Sequence, residues 1–144
     1  MACCAYQPLS SFAGNELLIT PDDLIEDGLL RASDCEGQSF SAAAVDYNAV
    51  IPFKRRLPET ACINLSAGAR SDLQPAFKEF CLEQTHWLED YALFRALKAR
   101  YAGASYLDWP AELVRRTPTA LTRARRELAG LIEQVRAAQF LLFR

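Results

Sequence analysis

Histidine and methionine each occur once in these 144 residues, and tryptophan twice. No apolar stretch approaches the roughly 20 residues that cross a bilayer, so we expect no transmembrane helix. With His86 the only imidazole, Cys81 and His86 are the one nearby pair of soft ligands, and the further ligands a metal needs are missing. We therefore expect neither a metal site nor a cofactor. The five cysteines, Cys3, Cys4, Cys35, Cys62 and Cys81, are odd in number and follow no CxxC spacing. Without a secretory leader, that pattern predicts reduced thiols used for packing and a cytoplasmic location. An excess of positive charge is also lacking. Sixteen basic against eighteen acidic residues leave a net charge of −2, which argues against a nucleic-acid partner. Clusters such as Lys54-Arg55-Arg56 and Arg123-Arg125-Arg126 are explained as solvated helix faces. At 51% hydrophobic, the chain is too apolar for disorder and long enough for one domain with a real core.

What is present is strong helical patterning. Leu17-Leu18-Ile19 reads as a short strand or extended piece, followed by a helix punctuated by Thr20 as cap, Pro21 at the first turn and Gly28 as stop. Residues 32–44 read as a surface loop and Asp46 to Leu57 as a second short helix. Pro58 to Arg70 is polar and punctuated, and reads as a separator. Beyond it the spacing predicts one long helix from Ser71 to Tyr101, with Phe77, Phe80, Cys81, Gln84, Leu88, Tyr91 and Phe94 close to one face. Gly103 closes it, and Pro110 keeps Trp109 out of helix. A second long helix opens at Thr117-Pro118 and carries Leu121, Ala124, Leu128, Leu131, Val135, Ala138 and Leu142 as a packing seam. The division expected is 1–31, 32–70 and 71–144.

Two ends stand out. Ala137 to Arg144 grows more apolar with no residue to cap it, which leads us to expect further protein against it. The run Tyr6-Gln7-Pro8-Leu9-Ser10-Ser11-Phe12-Ala13-Gly14-Asn15 combines aromatic faces with amides and hydroxyls. Such groups suit a sugar, whose ring stacks on an aromatic face while its hydroxyls take donors and acceptors. By residue type alone, an ordinary turn is the commoner use of Ser, Gly and Pro.

The order of motifs carries more than their composition. Tyr6-Gln7 with Ser11 to Ile19, Val45-Asp46-Tyr47 with Pro52-Phe53-Lys54, Trp87 to Phe94, Trp109-Pro110 and Phe140 to Arg144 together resemble the 4-α-glucanotransferases, the amylomaltase family of glycoside hydrolases. The resemblance covers essentially the whole chain and implies an early slice of a (β/α)8 barrel enzyme. That slice, mainly α as it stands, would comprise one active-site loop and a helical insertion. It implies a retaining transfer between α-1,4-glucans. Tyr6 matches the family tyrosine at the sugar subsite, and Gln7, Ser11 and Asn15 match neighbouring positions that either touch sugar or position the loop. No catalytic carboxylate is expected here, and Glu89-Asp90 reads as an ion-pair position.

Three departures bear on the loop: Cys4-Ala5 stands for Ser-Pro, Glu16 for a common proline, and Met1-Ala2-Cys3 for a glycine-rich approach. The leading expectation is a glucanotransferase fragment, inactive alone, whose partners are maltooligosaccharides and the remainder of the barrel. The alternatives are a stand-alone glucan-binding or helical interaction module, and a ligand-free scaffold in which Tyr6 and Trp109 only pack.

Overall fold

The computed structural model describes residues 9–36, 40 and 45–144. Among them the chain is helical throughout, with helices α1 (Pro21–Glu26), α2 (Tyr47–Ser66), α3 (Leu73–Glu83), α4 (Thr85–Arg100), α5 (Ala111–Val114), α6 (Pro118–Glu127) and α7 (Ala129–Phe143), and short 3-10 turns between them. None of these helices is long and apolar enough to cross a membrane.

Leu17-Leu18-Ile19 is not a strand. The Asn15 side chain accepts from the Leu17 N–H at 3.0 Å and winds Glu16–Leu18 into a 3-10 turn. Next comes α1 with its first-turn proline and Gly28 at φ +69°, although Thr20 holds the cap position without its hydroxyl making a cap bond. Residues 32–36 carry a 3-10 turn, Ala32–Cys35, rather than an irregular loop, because Asp34 accepts from the Arg31 N–H at 2.8 Å. Expectations for 37–39 and 41–44 fall outside the described residues.

The separator expected from Pro58 is helix instead. α2 runs through Pro52 and Pro58 to Ser66. An interior proline costs about 3 kcal/mol. Leu57, Ala61, Cys62 and Leu65 lie on one turn-spaced face and are all buried, and burying each leucine contributes roughly 2 kcal/mol. Ala61 and Cys62 add to the two leucines, so the buried face offsets the prolines and the helix continues towards its stop at Gly68, φ +82°.

Both long helices are broken once. The first breaks at Gln84, where the Thr85 hydroxyl donates to the Cys81 and Leu82 carbonyls at 2.8 Å and competes with the backbone ladder. The second breaks at Leu128, just before Gly130, a poor helix former. Thr117 precedes Pro118 as expected, but its hydroxyl donates to the Glu112 carbonyl at 3.2 Å instead of capping α6. The second break re-aims the seam: Ile132 is buried and Leu131 is exposed, the reverse of what an unbroken periodicity requires.

α7 packs against α2, α3, α4, α6 and the Glu16–Leu18 turn, and so touches every layer. On one side Ala137, Ala138 and Phe140 meet Leu57, Cys62, Leu65 and Phe77. Towards α4 and α6, Ile132 and Leu128 meet Leu93, Leu97 and Trp109. Trp109 is extended, as a residue before proline should be, and its ring lies between Phe94 and Tyr101 with centroids 5.7 and 5.8 Å away.

Leu88 is fully buried under the N-terminal loop, so Leu88→Ala should cost about 3 kcal/mol and lower the thermal midpoint by roughly 10 °C, read by circular dichroism. A shift below about 3 °C would mean that the site collapses without a cavity. Burial first, and then the nearby Glu16, Glu59 and Glu133, push the Cys62 thiol up to about 12. Treated with an aromatic disulfide reagent at pH 8, the native chain should keep Cys62 unmodified by peptide mass analysis, and denaturant should expose it.

Candidate functional site

The N-terminal loop is seated on α4 and α7 by side chains spread along its length. Ser10 Oγ accepts from the Phe12 N–H at 3.1 Å and the Ala13 N–H at 3.4 Å, forming a hydroxyl-stabilised turn. That turn presents Phe12, 60% exposed, parallel to the Trp87 ring at 6.4 Å and edge-on to His86 at 5.8 Å. Ala13 then drops into a buried cluster with Trp87, Leu88 and Tyr91.

At Gly14 the backbone meets α7 directly. Gln139, only 1% exposed, accepts the Gly14 N–H through Oε1 and donates to the Gly14 carbonyl through Nε2, both at 3.0 Å. A Cβ on residue 14 would collide with the end of Leu142, so glycine here serves close approach to the helix. Downstream, Glu16 Oε1 pairs with Arg95 Nη2 at 2.5 Å, and Arg95 reaches the Tyr91 hydroxyl at 3.5 Å. Burial works against the Arg95 charge, but Glu16 and Tyr91 outweigh it and hold its pKa above the usual value. Lys54 Nζ donates to the Ile19 carbonyl at 2.6 Å, where burial lowers its pKa.

Beside this seat, α2, α4 and α7 enclose an open groove of about 500 Å³. Its floor includes Cys62, Ala96 and Ala138, and its rim carries Glu16, Arg95 and Lys98. Glu59 also lines the groove, and two further acids on α4 are tied to arginines: Glu89 to Arg136, and Asp90 to Arg116 at 2.9 Å and Arg125 at 3.6 Å. Glu89 and Asp90 therefore sit in ion pairs, as their sequence context suggests. No group of three or more His, Cys, Asp or Glu among the described residues is placed to hold a metal ion.

Of the site residues named from sequence, Tyr6 and Gln7 lie outside the described residues. Ser11 is exposed on the loop surface. Asn15 is partly buried and turns its Oδ1 inward to the Leu17 N–H. Sequence reasoning passed over Gln139 and Arg95, which hold the loop from the far end of the chain and from α4. One signal was available: Gln139 is the single amide in the apolar run Ala137 to Phe143.

A family model described as 4-alpha-glucanotransferase matches residues 3–144. The 4-alpha-glucanotransferase of Thermus thermophilus is 35% identical over 139 residues, covering 96% of this chain and 27% of that protein. The chloroplastic/amyloplastic 4-alpha-glucanotransferase of Arabidopsis thaliana is 32% identical over 133 residues, 91% of this chain and 23% of that one. Among solved structures, the amylomaltase of Streptococcus agalactiae in complex with acarbose superposes with a TM-score of 0.84 at 28% identity, over 96% of this chain and 28% of its own. The chain thus spans about a quarter of the length of these relatives. With the match running from before the N-terminal loop to the last residue of the sequence, the chain belongs to the 4-alpha-glucanotransferase family.

Proposed function

We propose that this chain is an early segment of a cytoplasmic 4-α-glucanotransferase, which moves α-1,4-glucan pieces between maltodextrins or glycogen-derived chains. The family match through the anchored N-terminal loop carries this reading. In the retaining reaction a carboxylate attacks the anomeric carbon, a second carboxylic acid protonates the departing sugar, and the 4-hydroxyl of another glucan then replaces the enzyme. On this reading those carboxylates belong to the rest of a (β/α)8 barrel, and the engagement of Glu16, Glu89 and Asp90 by arginines is consistent with it.

The segment's own part is to bind. Tyr6 offers an aromatic face to the glucose ring beside the bond being cut, and Gln7 and Ser11 add polar contacts to its hydroxyls. Asn15 acts first as a turn former, so its share in sugar binding passes through the loop's shape. Acarbose, bound by the Streptococcus agalactiae relative, is the natural probe.

Incubated alone with maltotriose, the 144-residue chain should release no glucose above the blank. Glucose and longer maltodextrins in that incubation would sink the proposal that the reacting carboxylates lie elsewhere. In the complete enzyme, Tyr6→Ala should lower kcat/KM for maltotriose by roughly tenfold or more, whereas Tyr6→Phe, which keeps the ring, should stay within about threefold. Equal losses in the two variants would show that stacking is not what Tyr6 supplies.

A further inference from the structure

Gln139 is the one buried polar side chain among the described residues, and both ends of its amide go to the backbone of a single residue 125 positions away. An amide at that place is not needed for packing. Its neighbours Ala137, Ala138 and Phe140 are apolar and buried, and methionine would fill the same volume. Burying an amide is unfavourable unless its hydrogen bonds are made, and here they are made only when Gly14 lies against α7. The side chain therefore favours one position of the loop and penalises others. Gly14 cannot take a Cβ without pushing Leu142, so the fit is close from both sides. Upstream of Gly14, the loop's supports among the described residues include the Ser10 turn, buried Ala13 and the Phe12 ring on Trp87.

We infer that Gln139 is a positioning residue for sugar binding: its amide latches Gly14 to α7 and thereby fixes the loop that carries the exposed Ser11, to which the proposed function gives a contact with the sugar hydroxyls. This rests on the function proposed above. A displaced loop loses contacts made along a sugar ring, and because acarbose and maltotriose both need those contacts the loss falls on binding.

The test compares Gln139→Met, which keeps volume and removes both bonds, with Gln139→Glu, which keeps an acceptor for the Gly14 N–H, and with Ile132→Val, a core change away from the loop. Exchange of the Gly14 amide in the 144-residue chain should speed up roughly tenfold or more in Gln139→Met and stay near the parent's in Ile132→Val. In the complete enzyme, Gln139→Met should raise the acarbose dissociation constant and the maltotriose KM by about tenfold with a smaller change in kcat. Gln139→Glu should fall between it and the parent, and should serve as the measured variant if methionine prevents folding. Unchanged Gly14 exchange, unchanged acarbose affinity in a folded variant, or an equal loss of affinity in Ile132→Val would each overturn the inference. A parent enzyme that fails to bind acarbose would instead overturn the function on which it rests.

Discussion

The constraint on which the rest depends is that α7 has almost no face fit for water. Its fifteen residues include one glutamate and one arginine, and Ile132, Ala137, Ala138, Gln139 and Phe140 are buried on more than one side. A helix apolar around most of its circumference is stable only when other elements wrap it. α2, α3, α4, α6 and the Glu16–Leu18 turn do so. The small residues Ala137 and Ala138 let α2 and α4 approach closely, while Phe140 meets Phe77 and Phe80 at 5.5 and 5.8 Å. Dispersion and apolar burial hold this assembly, and its rows of charge lie outside it.

The charges tie helix to helix. Arg136 on α7 reaches Glu89 on α4 and Glu133 on its own helix, and Asp90 receives Arg116 from the approach to α6 and Arg125 from near its C-terminal end. Each pair is partly solvated, so each contributes at most about 1 kcal/mol and less at high salt. Their role is orientation: they fix which face of α4 turns toward α7. That same face carries Trp87, Leu88 and Tyr91 under the N-terminal loop.

Sequence periodicity located the buried face of the first long helix and only part of that of the second, and it placed the helix ends badly. Phe77, Leu88, Tyr91 and Ala138 fall inside as their spacing requires, because hydrophobic period follows burial, whereas Leu131 falls outside because the break at Leu128 shifts the period. Helix ends depend on single competing hydrogen bonds. The Thr85 hydroxyl on the Cys81 carbonyl ends α3, and nothing in the local pattern distinguishes that threonine from one facing water. Pro58 misled in the opposite direction, since its local cost was outweighed by contacts with α7 that lie far off in sequence. The latch from Gln139 to Gly14 was illegible for the same reason: a contact across 125 residues has no periodic trace. Family resemblance found the loop, and only the packing explains why it has its shape.

The loop's letters divide by what they do. Ser10 bonds the Phe12 and Ala13 amides, Ala13 packs, Gly14 admits α7, and Asn15 caps the following turn. These residues build the backbone path, which leaves Ser11 and Phe12 exposed on its surface. A motif can thus be recognisable mainly because its fold is exacting. Glu16 illustrates the point from the other side, because it stands where the family resemblance leads one to expect proline. Proline would stiffen the chain by restricting its unfolded ensemble. Glu16 instead gains a partly buried ion pair with Arg95, an enthalpic tether in place of an entropic one. The two devices act on the same stretch of backbone, and the substitution keeps the loop fastened to α4 while making that fastening dependent on charge.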